Sequence, residues 1–420
     1  MNAEEVFSEW SEYAGRKQLK ERRVDMKKLI LSADRKIVAV SGVRRAGKSS
    51  LLILLFKRLI KEGKKAAYIN LEDSRINGET DVLDRAVGWF GDEGYLLLDE
   101  ITAVSGWEGW LARMHEMSKG RLRLIISSST GKLLKPPKPL RGRILLHELY
   151  PLSFVELLDF ENIKSPRTVA EKGKVERKMQ EYLKYGGFPE VVLAPDNTEK
   201  VKLLISYFRD IVGLDISDVS GVRPGIVELF GKYNLCSVYF SASKALNFLK
   251  SLGYKIGKET LLELEKCSEM SYLFFFVPIF SYNVKDSAQY PRKVYSGDNG
   301  FFYAITGRFN MGRAYENAVY LELRRRAEPG VEINYWKSRD GYEVDFVITT
   351  GMEVSNIIQV CSDFSDKKTV RREVMGLVKA AKEFSIDNGL IITDNFEGKI
   401  RENGVEIACI PIVKWLVQKS

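Results

Sequence analysis

The chain has 420 residues, 45% of them apolar and 29% charged, and a formal charge of +9. That balance excludes a disordered or fibrous protein, and the length accommodates two or three domains with sizeable cores. Four cysteines without close pairing (Cys236, Cys267, Cys361, Cys409) and only two histidines (His115, His147) speak against disulfide frameworks, zinc sites and a Ser-His-Asp triad.

The chain opens MNAEEVFSEW, acidic and mixed, which is not the pattern of a signal peptide. The longest apolar run, YLFFFVPIF (272–280), is far shorter than a membrane span and carries Pro278. A cytoplasmic protein without membrane attachment is expected. The positive charge is concentrated early: residues 1–150 hold 28 basic and 20 acidic side chains, whereas residues 301–420 hold 17 of each. A basic surface for a partner is therefore sought on the N-terminal part.

KIVAVSGVRRAGKSSLLILLFKRLI (36–60) reads as a buried strand, a glycine-bearing loop and an apolar helix. Gly42, four residues, then Gly47, Lys48 and Ser49 fit the phosphate-binding loop in the context that loop requires. The backbone of Gly42, Val43, Arg44, Arg45, Ala46, Gly47, Lys48, Ser49 and Ser50 is expected to wrap the phosphates of ATP. Lys48 should reach the β- and γ-phosphates, and Ser49 should bind Mg²⁺. GYLLLDEI (94–101) supplies the next strand, ending in Asp99 for the Mg²⁺ shell and Glu100 to orient or deprotonate water. The adjacent Asp-Glu pair points to an ATP hydrolase rather than a small-molecule kinase.

RLRLIISSSTGKLL (121–134) is a third buried strand ending in hydroxyls. Ser129 is the first choice for sensing the γ-phosphate, with Ser127 and Ser128 close competitors. In KPPKPLRGR (135–143) the prolines forbid regular structure. Arg141 and Arg143 there are candidates for an arginine finger in a neighbouring subunit of a homo-oligomer, or for contact with DNA phosphate.

With SGVRRAGKSSLL, YINLEDSRI, LLLDEI, LRGR before ELYPLSFVELL, and YLKYGGFPEVV, the chain resembles the archaeal P-loop ATPases related to AAA+ and STAND proteins. Members of that family usually carry a restriction-endonuclease-like C-terminal domain. The resemblance implies an α/β protein with an ASCE-type, AAA+-like P-loop core (1–150), a helical lid (151–218), a winged helix (219–300) and a nuclease-like domain (301–420). The middle fits in order: helical patterns broken at Gly186-Gly187-Phe188-Pro189, then three helix-like stretches and two strand patterns. The third of those helices is acidic (Glu259, Glu263, Glu265, Glu269), a poor match to DNA.

The last segment orders as helix, three strands, helix and two strands, with Glu316 on the first helix, Asp345 on the second strand, and Gln359 and Cys361 on the third. Glu316, Asp345 and Gln359 are expected to converge. Gln359 stands where a nuclease carries Glu, and Cys361 where it carries Lys. A thiol cannot replace that ammonium, and no lysine is adjacent in sequence. The expectation is an ATP- and Mg²⁺-dependent ATPase that acts on or with DNA, its nuclease-like domain binding without efficient cleavage. The alternatives are an active ATP-regulated, metal-dependent DNA nuclease and a STAND-like switch that recruits proteins.

Overall fold

The computed structural model describes residues 2–78, 81–118, 120–129, 131–134, 137–164, 168–283 and 290–418. Lys135 and Pro136 of the proline-rich loop lie outside them. No helix among the described residues is long and apolar enough to cross a membrane. The chain divides into two compact units, Met1–Leu149 with Met270–Tyr272, and Tyr150–Glu269 with Leu273–Ser420.

The first unit is built on a parallel sheet of β1 (Ile37–Ser41), β2 (Ala66–Asn70), β3 (Gly94–Asp99), β4 (Leu122–Ser128) and β5 (Ile144–Glu148), in the order β2-β3-β4-β1-β5. β1 and β3 are buried along their whole length, as strands covered by helices on both faces must be. The helices are α1 (Ala3–Arg16), α2 (Met26–Ala33), α3 (Lys48–Lys61), α4 (Val82–Phe90) and α5 (Trp107–Ser118). On α3 the buried Leu51, Leu52, Leu55, Phe56 and Leu59 repeat at helical spacing and cover one face, together with Val38, Val40 and Ile125 of the sheet. Ala39, Leu96, Leu98 and Ile126 point to the opposite layer, where Trp107, Trp110 and Leu111 of α5 pack. Because all five strands run parallel, the C-terminal ends of β1, β3 and β4 emerge on one edge. This positions the site.

The second unit begins with helices α6 (Phe154–Phe160), α7 (Val169–Tyr185), α8 (Pro189–Leu193) and α9 (Asn197–Asp210), continued by a π-helical stretch Ile211–Ser217 and a short turn α10 (Asp218–Ser220). Then come α11 (Pro224–Cys236), β6 (Tyr239–Phe240), α12 (Ala242–Ser251), α13 (Lys258–Met270), β7 (Phe274–Val277) and β8 (Arg292–Ser296), whose strands pair antiparallel as β6-β8-β7. Of the acids on α13, Glu265 is buried and paired with Arg292, so it does not face solvent.

The chain continues through α14 (Gly300–Thr306), α15 (Met311–Arg326), β9 (Val331–Lys337), β10 (Glu343–Thr350), β11 (Glu353–Cys361), α16 (Lys367–Phe384), β12 (Asn388–Thr393), β13 (Gly398–Glu402), β14 (Val405–Pro411) and α17 (Ile412–Val417). The six strands form one mixed sheet, β13-β14-β12-β11-β10-β9. The β13 hairpin strand and α17 have no counterpart in the sequence reading, since GKIRE lacks a buried face.

Buried Asp298 ties two parts of this unit together. Its carboxylate accepts the Gly187 N–H at 2.7 Å and the Gly300 N–H at 2.8 Å. Gly186, at φ +76°, has no room for a side chain, because an added Cβ would fall 1.6 Å from Asp298 Oδ1.

Candidate functional site

Residues 42–47 connect β1 to α3. A Cβ on Gly42 would fall 2.0 Å from the Leu149 carbonyl oxygen, and Gly47 sits at φ +100° immediately before the first turn of α3. Both positions therefore require glycine. The loop runs directly into the N-terminus of α3, and a glycine-bearing loop at a helix N-terminus is an arrangement that binds anions. Lys48 Nζ donates to the carbonyls of Gly42 (2.9 Å) and Val43 (3.2 Å), so the ammonium lies over the loop. Arg22, buried, donates to the Ala46 carbonyl at 2.8 Å and braces the loop from the segment between α1 and α2.

Asp99 ends β3 fully buried. One oxygen accepts from the Tyr68 hydroxyl at 2.7 Å, and the other accepts from Ser127. Glu100 follows in the left-handed region at φ +52°, a conformation that costs a non-glycine residue about 1–3 kcal/mol and persists only where its surroundings enforce it. The surroundings are visible. The Glu100 N–H donates to Ser127 Oγ at 3.0 Å, while Glu100 Oε2 accepts the Ser129 N–H at 2.8 Å and its hydroxyl at 3.1 Å. Burial pushes the Glu100 carboxyl up, with Lys48 opposing, which makes the carboxylate a stronger base than one in water.

The three serines after the apolar part of β4 divide the work. Ser127 bridges Asp99 and Glu100, Ser128 pairs with Thr102 at 2.8 Å, and Ser129 holds the Glu100 side chain. The donor set fits a nucleotide with its metal: a glycine loop open to phosphate, an ammonium on that loop, and a buried carboxylate pair beyond it. Arg143 pairs with Glu116 on α5 (2.7 Å) and donates to the Pro139 carbonyl (2.8 Å), so it is tied down within its own chain. Arg141 is exposed.

A second polar cluster lies in the C-terminal unit, around a residue the sequence reading did not select. Lys293 of β8, 2% exposed, reaches Glu316 of α15 at 2.9 Å, Glu343 at 2.7 Å and Asp345 of β10 at 2.7 Å. Tyr295 donates to Glu316 at 2.7 Å and Tyr239 donates to Glu343. Burial alone would favour the neutral amine, but Asp345, Glu316 and Glu343 outweigh it and hold the ammonium charged. Burial pushes Asp345 up, with Glu316 adding to it and Lys293 opposing.

Glu316 and Asp345 are thus brought together. Gln359 joins through its amide: its oxygen accepts the Asp345 N–H at 2.9 Å and its nitrogen donates to Glu373 at 2.6 Å. Cys361 does not join them. It sits in the apolar core with Val374 and Leu377, its thiol against the Asp363 carbonyl at 3.3 Å, and burial pushes it up to about 11. No lysine neighbours Cys361 in sequence, but the fold brings one to these acids from elsewhere: Lys293, 52 residues before Asp345.

Sequence reasoning missed Arg22, Tyr68, Ser127 as a bridge, and Lys293. The available signal was a polar group inside an apolar strand: Tyr68 in AAYIN and Lys293 in RKVYS. Such a group needs a buried partner.

Residues 34–158 match the family model described as an AAA domain. Residues 176–311 and 311–413 match two models described as domains of unknown function, DUF8612 and DUF4143. An uncharacterized protein of Methanocaldococcus jannaschii, MJ1544, is 32% identical over 435 residues, covering 98% of this chain and 94% of its own length. An uncharacterized protein of Haemophilus influenzae is 28% identical over 399 residues, covering 91% and 94%. Among solved structures, AMPPCP-bound DnaA from Aquifex aeolicus aligns at 14% identity over 58% of this chain and 85% of its own, with a TM-score of 0.28. A STAND protein with a tetratricopeptide repeat sensor from Pyrococcus horikoshii aligns at 13% identity over 75% and 47%, with a TM-score of 0.30.

Proposed function

This chain belongs to the same family as the Methanocaldococcus jannaschii protein MJ1544, and we propose that it is an ATP-hydrolysing, AAA+-like switch that acts with DNA. The observation that carries the reading is the shared edge of the parallel sheet. There the loop 42–47 leaves β1, and Asp99 and Glu100 leave β3, two strands away across β4. The backbone of residues 42–50 would wrap the phosphates, with Lys48 neutralising the β- and γ-oxygens. Ser49 and Asp99 would hold the metal and its water shell, and the bound Mg²⁺ would supply charge neutralisation on the phosphates. Glu100 would orient the attacking water and take its proton. Ser129 would act on the γ-phosphate state through Glu100, whose carboxylate it holds. Arg141, exposed, is the better of the two arginines for a neighbouring subunit's site, since Arg143 is engaged with Glu116.

In the C-terminal unit we read residues 219–300 as a winged helix and 301–420 as a restriction-endonuclease-like domain used to bind or position DNA. Support for binding without cutting comes from Lys293, whose ammonium takes up the carboxylates of Glu316, Glu343 and Asp345 that a divalent ion would need. A cutting enzyme is the second reading, in which a divalent ion would displace Lys293 from the acids and the lysine would serve beside Asp345 as the ammonium that Cys361 does not supply.

The test combines ATP hydrolysis with binding and cleavage of linear, forked and four-way DNA, with ATP, ADP and no nucleotide. Lys48→Ala should lose nucleotide binding, and Glu100→Gln should bind ATP but hydrolyse it at least ~10²-fold more slowly. DNA affinity should fall steeply with salt. Wild-type hydrolysis by Glu100→Gln would remove the assigned base. Metal-dependent cleavage would favour the second reading, and salt-independent failure to bind any DNA would leave a nucleotide switch for protein partners.

A further inference from the structure

A cavity of about 60 Å³ lies in the second unit, between α11, β8, α14 and α15. It is several times the roughly 10–15 Å³ that one water needs, and it approaches the surface at Val238 and Phe309, which line it and are 48% and 39% exposed. Its walls are largely aromatic and aliphatic, with a few polar groups converging on it, the composition of small-ligand sites.

Three of those polar groups have unused capacity. Asn234 is fully buried. Its Nδ2 donates to the Phe230 carbonyl at 3.0 Å, while its Oδ1 has no hydrogen-bond partner among the described residues. Ser296 Oγ is likewise buried and unpartnered among them. Arg313 lies over the Phe302 ring, 4.9 Å from its centroid, and gives the Ser237 carbonyl one bond at 3.0 Å. A guanidinium has five N–H donors, and burial pushes this one down from its ordinary value. An unsatisfied buried acceptor costs about 1–3 kcal/mol and persists where a ligand or water completes it.

The inventory is specific. Asn234 Oδ1 can only accept, Arg313 can only donate, and Ser296 Oγ can donate. A ring edge that reads carbonyl, N–H, carbonyl satisfies all three, and its faces suit the aromatic walls. We propose that this cavity is a binding site for a pyrimidine-type ring, a planar monocycle with an imide edge. Free nucleoside and a base turned out of a nucleic-acid strand share that chemistry. In the second case the base would enter past Phe309 while sugar and phosphate stay outside, paying a few kcal/mol for unstacking. The inference rests on the cavity alone and stands or falls separately from the ATPase reading.

The test uses the full chain and three probes: thymidine, oligo(dT), and an abasic oligomer of the same length. Saturation-transfer NMR with thymidine, followed by titration, should show binding that Ser296→Ala weakens by about fivefold to tenfold, the worth of one neutral hydrogen bond. Asn234→Leu should weaken it further. If that variant melts early, Ser296→Ala carries the comparison alone. Should the base be read in a strand, oligo(dT) will bind more tightly than the abasic oligomer, and Ser296→Ala will narrow that difference by about the same fivefold to tenfold. The proposal is overturned if thymidine gives no transfer and oligo(dT) equals the abasic strand. It is also overturned if benzyl alcohol, which has no imide edge, competes as well as thymidine.

Discussion

Replacing Lys293 by methionine keeps an unbranched side chain, one heavy atom shorter, and removes its charge. Three carboxylates then lose the ammonium that stands 2.7–2.9 Å from each of them, in a site where the lysine is 2% exposed. Breaking a buried ion pair by deleting one partner costs about 3–5 kcal/mol, because the remaining charge stays buried and unpaired. For a unit of this size that corresponds to a melting point lower by roughly 6–20 °C at pH 7.5. The deficit should shrink on acidification. Burial already raises Asp345 above its unfolded value with Lys293 opposing; freed of that opposition, the folded variant binds a proton there more readily and gains stability as pH falls from neutrality toward 5. The assay is thermal unfolding by circular dichroism at pH 7.5 and 5.5, with Asp345→Asn added to Lys293→Met as a partial rescue. A variant that melts with the wild type at pH 7.5, or a deficit that does not change with pH, would refute the account of this cluster as a buried, charged lock.

Cys361→Lys should lower stability by about 2–4 kcal/mol, since it forces an ammonium into an apolar core, and should add no nuclease activity because Lys293 already stands at the acids; cleavage gained by a stably folded variant would contradict this. Burial pushes the Asp298 carboxyl up to about 7, against its two backbone hydrogen bonds. The second unit should therefore lose stability as pH rises from about 4 toward 7, with a slope of up to about 1.4 kcal/mol per pH unit, and level off above. Urea titrations at pH 5, 6, 7 and 8 should find that slope reduced in Asp298→Asn. If Arg141 completes a neighbour's site, hydrolysis per chain should rise with protein concentration, and mixing Arg141→Ala with Lys48→Ala chains should restore activity. Arg143→Ala should give no such rescue, because its guanidinium serves Glu116.

The nucleotide loop is legible in the sequence because its chemistry is local: glycine spacing, strand before, helix after. The same holds for Asp99 and Glu100 at the end of a buried strand. The serines were legible only as a group. Which of them touches Glu100 depends on the register of β4 against β3 and on the left-handed turn at Glu100, and neither is encoded in a short window. Lys293 was illegible for a different reason: its partners lie on α15 and β10, and only the approach of β8 to them gives the lysine a purpose. Judging Cys361 by its motif position was misleading, because residues that alternate on a strand share a face without sharing an environment. Gln359 meets polar groups, and Cys361 meets Val374 and Leu377.

The first unit includes Met270–Tyr272 although its main body ends at Leu149. Gly131, just beyond the serines, lies so close to this returning segment that an added Cβ would fall 2.3 Å from the Met270 carbonyl. A chain ended at Leu149 would hold the loop 42–47, Asp99, Glu100 and the three serines, yet would lack the Met270 segment that packs on Gly131. A protease cutting anywhere between Tyr150 and Glu269 would leave part of the first unit covalently attached to the wrong fragment. The first unit is thus discontinuous in sequence: one piece ends at Leu149, whose N–H donates to the Ser41 carbonyl at the end of β1, and the other returns at Met270 against Gly131, just beyond β4.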